Sequence, residues 1–310
     1  MEIISFIIPC YRSEFTIEQV VSEIISQFSG KQDFDYQIIL VCDGSPDNTF
    51  GVIRALCKND GKIIGLNLSR NFGGGSARMA ALPYVKGAYV VYMDDDGQHP
   101  AEGIFPLIEK LKEGYDMVYA HFKHKKHTLL KRFGSYVNRV MTEILIGKPR
   151  HIFISSFNAK TAFVSRELQR YSSPSPYGLG YLMQITRNIA NVEMEHRTRI
   201  AGKSGYTFIK SLRLWMNGFA SFSVVPLRIF SIFGSFCSLF GFIFGIVLII
   251  QKILNPHIAA GYTSTMASLF FIGGVLMMML GLLGEYVGRM FMVLNNLPQY
   301  VVREVINNEN

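Results

Sequence analysis

The chain is 310 residues long, 49% apolar, and carries a formal net charge of +8. That length accommodates two ordinary domains, or one domain beside a membrane region, and the apolar content with a positive mean hydropathy is high for an enzyme living wholly in water. Of the charge, +7 falls on the first 226 residues, a basic surplus that suits an anionic bilayer surface; no nucleic-acid partner is expected.

Residues 3–8 form an apolar run that stops at Pro9, and Met1-Glu2 supplies no basic stretch before it. The start therefore reads as a buried strand and not a secretory signal, which keeps the first domain in the cytoplasm. Further strand patterns fall at 37–42, 63–68, 88–93 and 117–120, and helical patterns at 16–28, 47–58, 74–85 and 101–113. Asp47 suits the N-cap of the second helix and Pro100 the first turn of the fourth. Strands alternating with helices at this spacing predict an α/β fold with a doubly wound, mostly parallel sheet, whose ligands bind beyond the carboxyl ends of the strands.

Residues 121–132 turn basic, with Lys123, Lys125, Lys126, Lys131 and Arg132 among His121, His124 and His127. Crowded lysines repel a cation, so the segment reads as a solvated basic loop and not a metal site. Between 206 and 222, Phe208, Ile209, Leu212, Trp215, Met216, Phe219 and Phe222 recur every three or four residues, the pattern of an amphipathic helix lying at a membrane interface. No charged residue occurs from 229 to 250 or from 258 to 284, and each run is long enough to cross a hydrocarbon core. The expected organisation is a cytoplasmic domain over 1–205, an amphipathic juxtamembrane helix over 206–226, a two-helix transmembrane hairpin over 227–293 and a cytoplasmic tail over 294–310. The protein is thus expected to be multi-pass in the inner (plasma) membrane. The four cysteines, Cys10, Cys42, Cys57 and Cys237, lack metal-ligand spacing and read as reduced thiols.

Polar clusters follow four of the expected strands directly: Pro9-Cys10-Tyr11-Arg12, Asp43-Gly44-Ser45, Arg70-Asn71-Phe72-Gly73 and Asp94-Asp95-Asp96. Three consecutive carboxylates at a strand end call for a cation, and a divalent metal holding a diphosphate meets that need; an acidic turn capping the next helix accounts for them equally well. Carboxylate oxygens suit Mg²⁺ or Mn²⁺. The glycines at 73–75 lack a following Lys-Ser/Thr and a G-x-G-x-x-G pattern, which excludes a P-loop and a dinucleotide fingerprint.

Residues 8–14, the Asp43-Gly44-Ser45 turn, residues 69–73 and Met93-Asp94-Asp95-Asp96-Gly97-Gln98-His99-Pro100 together resemble family-2 glycosyltransferases of the GT-A fold. Residues 199–206, Pro226-Leu227-Arg228 and residues 283–289 narrow the resemblance to the polyisoprenyl-phosphate branch, which includes undecaprenyl-phosphate glucosyl- and aminoarabinosyl-transferases and dolichyl-phosphate mannose synthases. The resemblance implies a nucleotide-sugar donor held by Pro9, Tyr11, Glu14, Asp43, Asn71 and Asp95. It also implies metal ligation by Asp94, Asp96 and Gln98, with Asp94 and Asp96 as the catalytic carboxylates. Lys131, Arg132, Ser135, Arg199, Lys203 and Ser204 fall where the family handles the lipid phosphate and closes over phosphates. Three departures stand out: Arg12 replaces the usual Asn, Ser156-Phe157-Asn158 stands where Asp-Phe-Arg is usual, and Ser204-Gly205 replaces a Ser-Lys pair.

The expected reaction is inverting transfer of a sugar, from a UDP-sugar, to a polyprenyl phosphate such as undecaprenyl phosphate. An acceptor phosphate is already anionic near neutral pH, so no strong general base is required. A transferase for another lipid or a glycan, and an inactive nucleotide-sugar binder, are the competing expectations; homo-oligomerisation stays open.

Overall fold

The computed structural model describes residues 1–122, 143, 147–174, 178–195, 225–254 and 261–307. The chain divides into two compact units, one made of Met1–Trp215 with Leu297–Asn310 and the other of Met216–Asn296.

The first unit is built on an eight-stranded sheet. In chain order its elements are β1 (Glu2–Cys10), α1 (Ile17–Ser26), β2 (Phe34–Cys42), α2 (Thr49–Asn59), β3 (Ile63–Leu68), α3 (Gly74–Ala81), β4 (Tyr89–Tyr92), α4 (Ile104–Lys112), β5 (Met117–Phe122), β6 (Asn158–Thr161), α5 (Ala162–Gln169), α6 (Gly178–Ile185), β7 (Ile189–Met194) and β8 (Val302–Ile306). The strand order is β7-β5-β6-β4-β1-β2-β3-β8. Strand β1 pairs in parallel with β2 and β4, β2 with β3, and β5 with β7, while β6 and β8 run antiparallel to their neighbours. The expectation of a mostly parallel, doubly wound sheet holds for the centre, and the antiparallel strands are the additions.

The central strands are near-continuous apolar runs because both faces of the sheet are covered. Ile4, Phe6, Ile8, Ile38 and Leu40 pack with α1, α2 and α4 on one face, and Ile7, Ile39, Val41, Val90 and Tyr92 pack with α3, α5 and α6 on the other. Helix α1 shows why it docks: Ile17, Val20, Val21 and Ile24 are buried and recur at three- and four-residue spacing along one stripe. Each such side chain taken from water contributes about 1.5–3 kcal/mol.

Within the segment expected as a tail over 294–310, Val302–Ile306 is a strand. Val302–Ile306 adds to the sheet edge, pairing Gly65 with Ile306 and Leu66 with Val305. The Arg54 Nη2 donates to both Glu304 carboxylate oxygens at 2.8 and 3.0 Å, and the Ser69 N–H donates to the Val301 carbonyl at 2.9 Å. The alternating charges of Val-Arg-Glu-Val-Ile look like solvated tail in the sequence because their pairing partner lies far away along the chain.

The second unit contains α7 (Val225–Leu254) and α8 (Tyr262–Leu294). Among the described residues, Ser268–Leu294 is long and apolar enough to cross a membrane, and Ile232–Val247 is a shorter apolar stretch. Large apolar side chains on both helices are exposed, including Phe240 at 72%, Phe270 at 77% and Met277 at 72%.

Candidate active site

The chain runs outward through β1, β2 and β3, then returns to place β4 on the other side of β1. The carboxyl ends of β1 and β4 therefore diverge at a switch point, the place where parallel α/β sheets bind ligands. The four polar clusters expected from the sequence lie at these strand ends and bond to one another.

After β2, Gly44 sits at φ +57°, and a Cβ there would meet the Arg70 carbonyl carbon at 2.3 Å and the Asn71 nitrogen at 2.5 Å. Only glycine permits both the left-handed turn and that approach. It lets the neighbouring Asp43 carboxylate, 3% exposed, accept the Phe72 N–H at 2.7 Å and the Gly73 N–H at 2.8 Å. Asp43 thus clamps the loop after β3 to the end of β2. Burial pushes its pKa above the ordinary carboxylate value despite those two bonds. Asp47 lies one residue outside its expected cap position. Asn48 is the N-cap of α2, while Asp47 Oδ1 accepts from the Thr49 hydroxyl at 2.6 Å and the Ser45 hydroxyl at 2.5 Å. Glu14 Oε2 accepts the Asn48 N–H at 3.0 Å, tying the β1 loop to the same turn.

The three carboxylates after β4 have three different surroundings. Asp94 Oδ1 accepts from Arg78 Nη2 at 2.8 Å, and its Oδ2 lies 3.6 Å from His99 Nε2. The Asp94 N–H donates to His99 Nδ1 at 3.0 Å, so the ring proton belongs on Nε2, facing the carboxylate and the Ser156 hydroxyl 3.2 Å away. The His99 ring is buried and stacks on Phe157 and Phe122. Burial alone would raise the Asp94 pKa; His99 and Arg78 outweigh it and hold the carboxyl below its usual range. Asp95 turns the other way, accepting from the Tyr11 N–H at 3.1 Å and from the Ser13 hydroxyl. It bridges β4 to β1 across the switch point, and burial raises its pKa. Asp96 is half-buried, with Oδ1 accepting the Gln98 N–H at 3.1 Å.

The structure therefore brings together Pro9, Tyr11, Glu14, Asp43, Asp94, Asp95, Asp96 and Gln98, with Asn71 exposed on the adjoining loop. Lys131, Arg132, Ser135, Arg199, Lys203 and Ser204, and the amphipathic helix expected at 206–222, lie outside the described residues. His121 ends on β5 with its ring stacked 3.9 Å from that of Phe153. Arg78 and the buried partnership of His99 with Asp94 are the features that sequence reasoning missed. An arginine on a short helix carries no signal of the carboxylate it will meet.

Among the described residues, no three His, Cys, Asp or Glu side chains converge as a metal cage. The donor chemistry nevertheless fits a hard divalent cation, because Asp96 and the Gln98 amide offer oxygens on one turn and substrate phosphates commonly complete such a shell. Asp94 is the third oxygen source, held at present by Arg78 and His99.

The family profile described as "Glycosyl transferase family 2" matches residues 5–166, from within β1 to within α5, and takes in the whole of this site. The chain belongs to glycosyl transferase family 2. A second profile, "GtrB C-terminal hairpin", matches residues 225–290, the segment of α7 and α8. Among relatives, the undecaprenyl-phosphate 4-deoxy-4-formamido-L-arabinose transferase of Shewanella sediminis is 28% identical over 312 residues, covering 100% of this chain and 94% of that protein. The SfII prophage-derived bactoprenol glucosyl transferase of Shigella flexneri is 29% identical over 303 residues, covering 97% of each. Among solved structures, glucosyl-3-phosphoglycerate synthase from Mycobacterium tuberculosis, in complex with Mn²⁺, UDP-glucose and phosphoglyceric acid, aligns with a TM-score of 0.51 at 23% identity. It covers 70% of this chain and 78% of that one. That likeness carries the fold, a GT-A sheet, and nothing finer.

Proposed function

We propose that this family-2 glycosyltransferase moves a sugar from a nucleotide-sugar, a UDP-sugar in the first instance, to a polyprenyl phosphate such as undecaprenyl phosphate at the cytoplasmic face of the membrane. The observation that carries the reading is the pairing, in one chain, of a carboxylate-lined switch point with an apolar helix of membrane length. Relatives whose names specify undecaprenyl phosphate or bactoprenol as acceptor align over nearly the whole length, and this supports the acceptor class.

The residues divide the work. The Asp43 clamp and the bonds joining the β1, β2 and β3 loops shape a rigid cradle for the nucleoside. Asp96 and Gln98 would hold Mg²⁺ or Mn²⁺, which supplies charge stabilisation to the departing nucleoside diphosphate. Asp94, kept ionised by His99 and Arg78, would add negative potential that helps hold such a cation. The acceptor phosphate is anionic already, so the chain needs to orient it opposite the leaving group, and an in-line attack inverts the anomeric carbon. The basic segments holding Lys131, Arg132, Arg199 and Lys203 are the source of charge for that phosphate.

The topology is part of the proposal. The chain leaves the sheet unit before α7 and rejoins it after α8, where β8 pairs with β3, so both ends of the intervening segment lie on one side of a bilayer. Such a segment crosses an even number of times, which favours α7 and α8 both spanning over a single crossing by α8. Labelling of an Asn255→Cys variant from outside intact cells tests this; labelling only from the cytoplasm removes the hairpin. The activity is tested by incubating membranes with a panel of nucleotide-sugars and undecaprenyl phosphate. A lipid-soluble glycosyl phosphate is the expected product, and a product formed only on a water-soluble acceptor overturns the reading.

A further inference from the structure

The acidic cluster already carries a counter-cation from the protein. Arg78, on α3, donates to Asp94 at 2.8 Å, with the two side chains 26% and 32% exposed. Its guanidinium lies against the Tyr92 ring, 5.5 Å from the centroid, and its Nε is buried without a partner. The same ring carries Lys160 Nζ at 2.8 Å. Lys160 enters from β6 opposite Val90, is fully buried, and finds no hydrogen-bond partner for its Nζ. Burial, then the nearby Arg78, drive the Lys160 pKa well down. The guanidinium therefore has no anion to retreat to on the Lys160 side, and Asp94 is its anchor.

Asp94 is also one of the carboxylates the metal reading needs. A guanidinium and a divalent cation compete for it, and a released guanidinium would stand as a largely buried cation beside the donor phosphates. We propose that Arg78 gates Asp94: it occupies the carboxylate while the donor is absent, yields it to the divalent cation that arrives with the nucleotide, and pairs with the diphosphate afterwards. This rests on the reading that the cluster binds a divalent cation. Arg78 is then a positioning residue whose effect reverses sign between the empty and the nucleotide-bound protein.

The test uses the full chain in detergent, with free Mn²⁺ followed by electron paramagnetic resonance and UDP binding followed by calorimetry. For Arg78→Met, the gate predicts Mn²⁺ binding without nucleotide that is tighter by about tenfold, the effect of removing one neighbouring positive charge. With Mn²⁺ saturating, UDP binding should weaken by about tenfold for the same reason in reverse. Arg78→Lys, which keeps the charge, should move both constants back toward wild type, and Arg78→Gln, which also removes the charge, replaces the Met variant if thermal melting shows that variant unfolded. Two constants that both weaken together with the melting temperature, or neither of which moves, show a structural arginine and overturn the gate. No Mn²⁺ uptake by the wild-type chain even with UDP present rejects the metal reading itself and the gate with it.

Discussion

The two units spend the same apolar residues in opposite ways. In the sheet unit, Ile4, Phe6, Ile8 and Leu40 are fully buried, and the polar residues collect at one row of strand ends. On α7 and α8, apolar side chains of similar size stand exposed, with Phe236 at 67% and Leu294 at 79%. An apolar surface this extensive marks a region whose surroundings are themselves apolar. The sheet unit makes its own interior; the helical unit borrows one. The proposed function accordingly gives the chemistry that needs fixed dipoles to the first unit, and access to a lipid substrate to the second.

That division can be broken most forcefully at Asp96. Replacing it by Asn removes an oxygen charge and no core packing, so transfer should fall by about a hundredfold or more. Thermal melting and membrane extraction should stay as in wild type. A variant that keeps near-normal transfer in the presence of chelator contradicts a metal-assisted reaction.

The second break contrasts one kind of substitution in two places. Met277→Arg alters a side chain that is 72% exposed, and Phe15→Arg one that is 84% exposed. In water both would be nearly neutral. In a bilayer the charge on α8 costs about 2.5–3.5 kcal/mol near the centre of a span. We expect Met277→Arg to lower the membrane-integrated fraction, scored by carbonate extraction, and Phe15→Arg to leave it unchanged. Equal behaviour of the two would mean that α8 lies in water.

Much of this division is legible in the sequence, and the exceptions share a cause. The β1, β2, β3 and β4 runs and the helices between them announce themselves because both faces of each strand are buried. Strand β6, Asn158-Ala159-Lys160-Thr161, carries no apolar run at all, and it is held by pairing with β4 and β5 at long range. Strand β8 hides in a charged terminal segment for the same reason. At the site, the carboxylates and their loops were visible as strand-end clusters. The partners that set their charge were not: nothing in the sequence singles out Arg78, and His99 reads as a motif residue without its stacking rings. Local pattern reveals which residues gather at an edge, while only tertiary structure reveals which one neutralises another.

A third prediction sharpens the account of the sheet interior. Lys160→Met replaces an unpaired buried amine by an apolar chain of similar length and should raise stability by about 1–3 kcal/mol at neutral pH. The folded pKa of Lys160 is depressed, so between it and the unfolded value the unfolded chain binds one more proton and wild-type stability rises with pH. The advantage of the Met variant should accordingly shrink as the pH rises through the interval between the depressed folded pKa and the unfolded one. Denaturant melts at a series of pH values give the slope, and a pH-independent difference would show that the amine is charged in both states.

The smallest effect concerns the β1 loop. Arg12 adopts φ +60°, a left-handed conformation that Asn tolerates better than Arg, and Asn is the residue usual at this position in the family it resembles. Arg12→Asn should stabilise the domain by about 1 kcal/mol, read as a higher melting temperature. A lower one would mean that the Arg12 side chain, which lies 5.7 Å from the Tyr11 ring centroid, contributes more than the backbone strain costs.

The claim on which the rest depends is that the carboxylate edge of the sheet and the lipid acceptor serve one reaction. It is tested most directly by supplying radiolabelled UDP-sugars and undecaprenyl phosphate to membranes carrying the wild-type chain or Asp96→Asn, with Mn²⁺ or Mg²⁺ present. The account predicts label passing into the organic phase as an acid-labile lipid with the wild type, and none with Asp96→Asn. Lipid labelling that is equal in the two membranes, or wild-type membranes that transfer label only to a water-soluble acceptor, would contradict it.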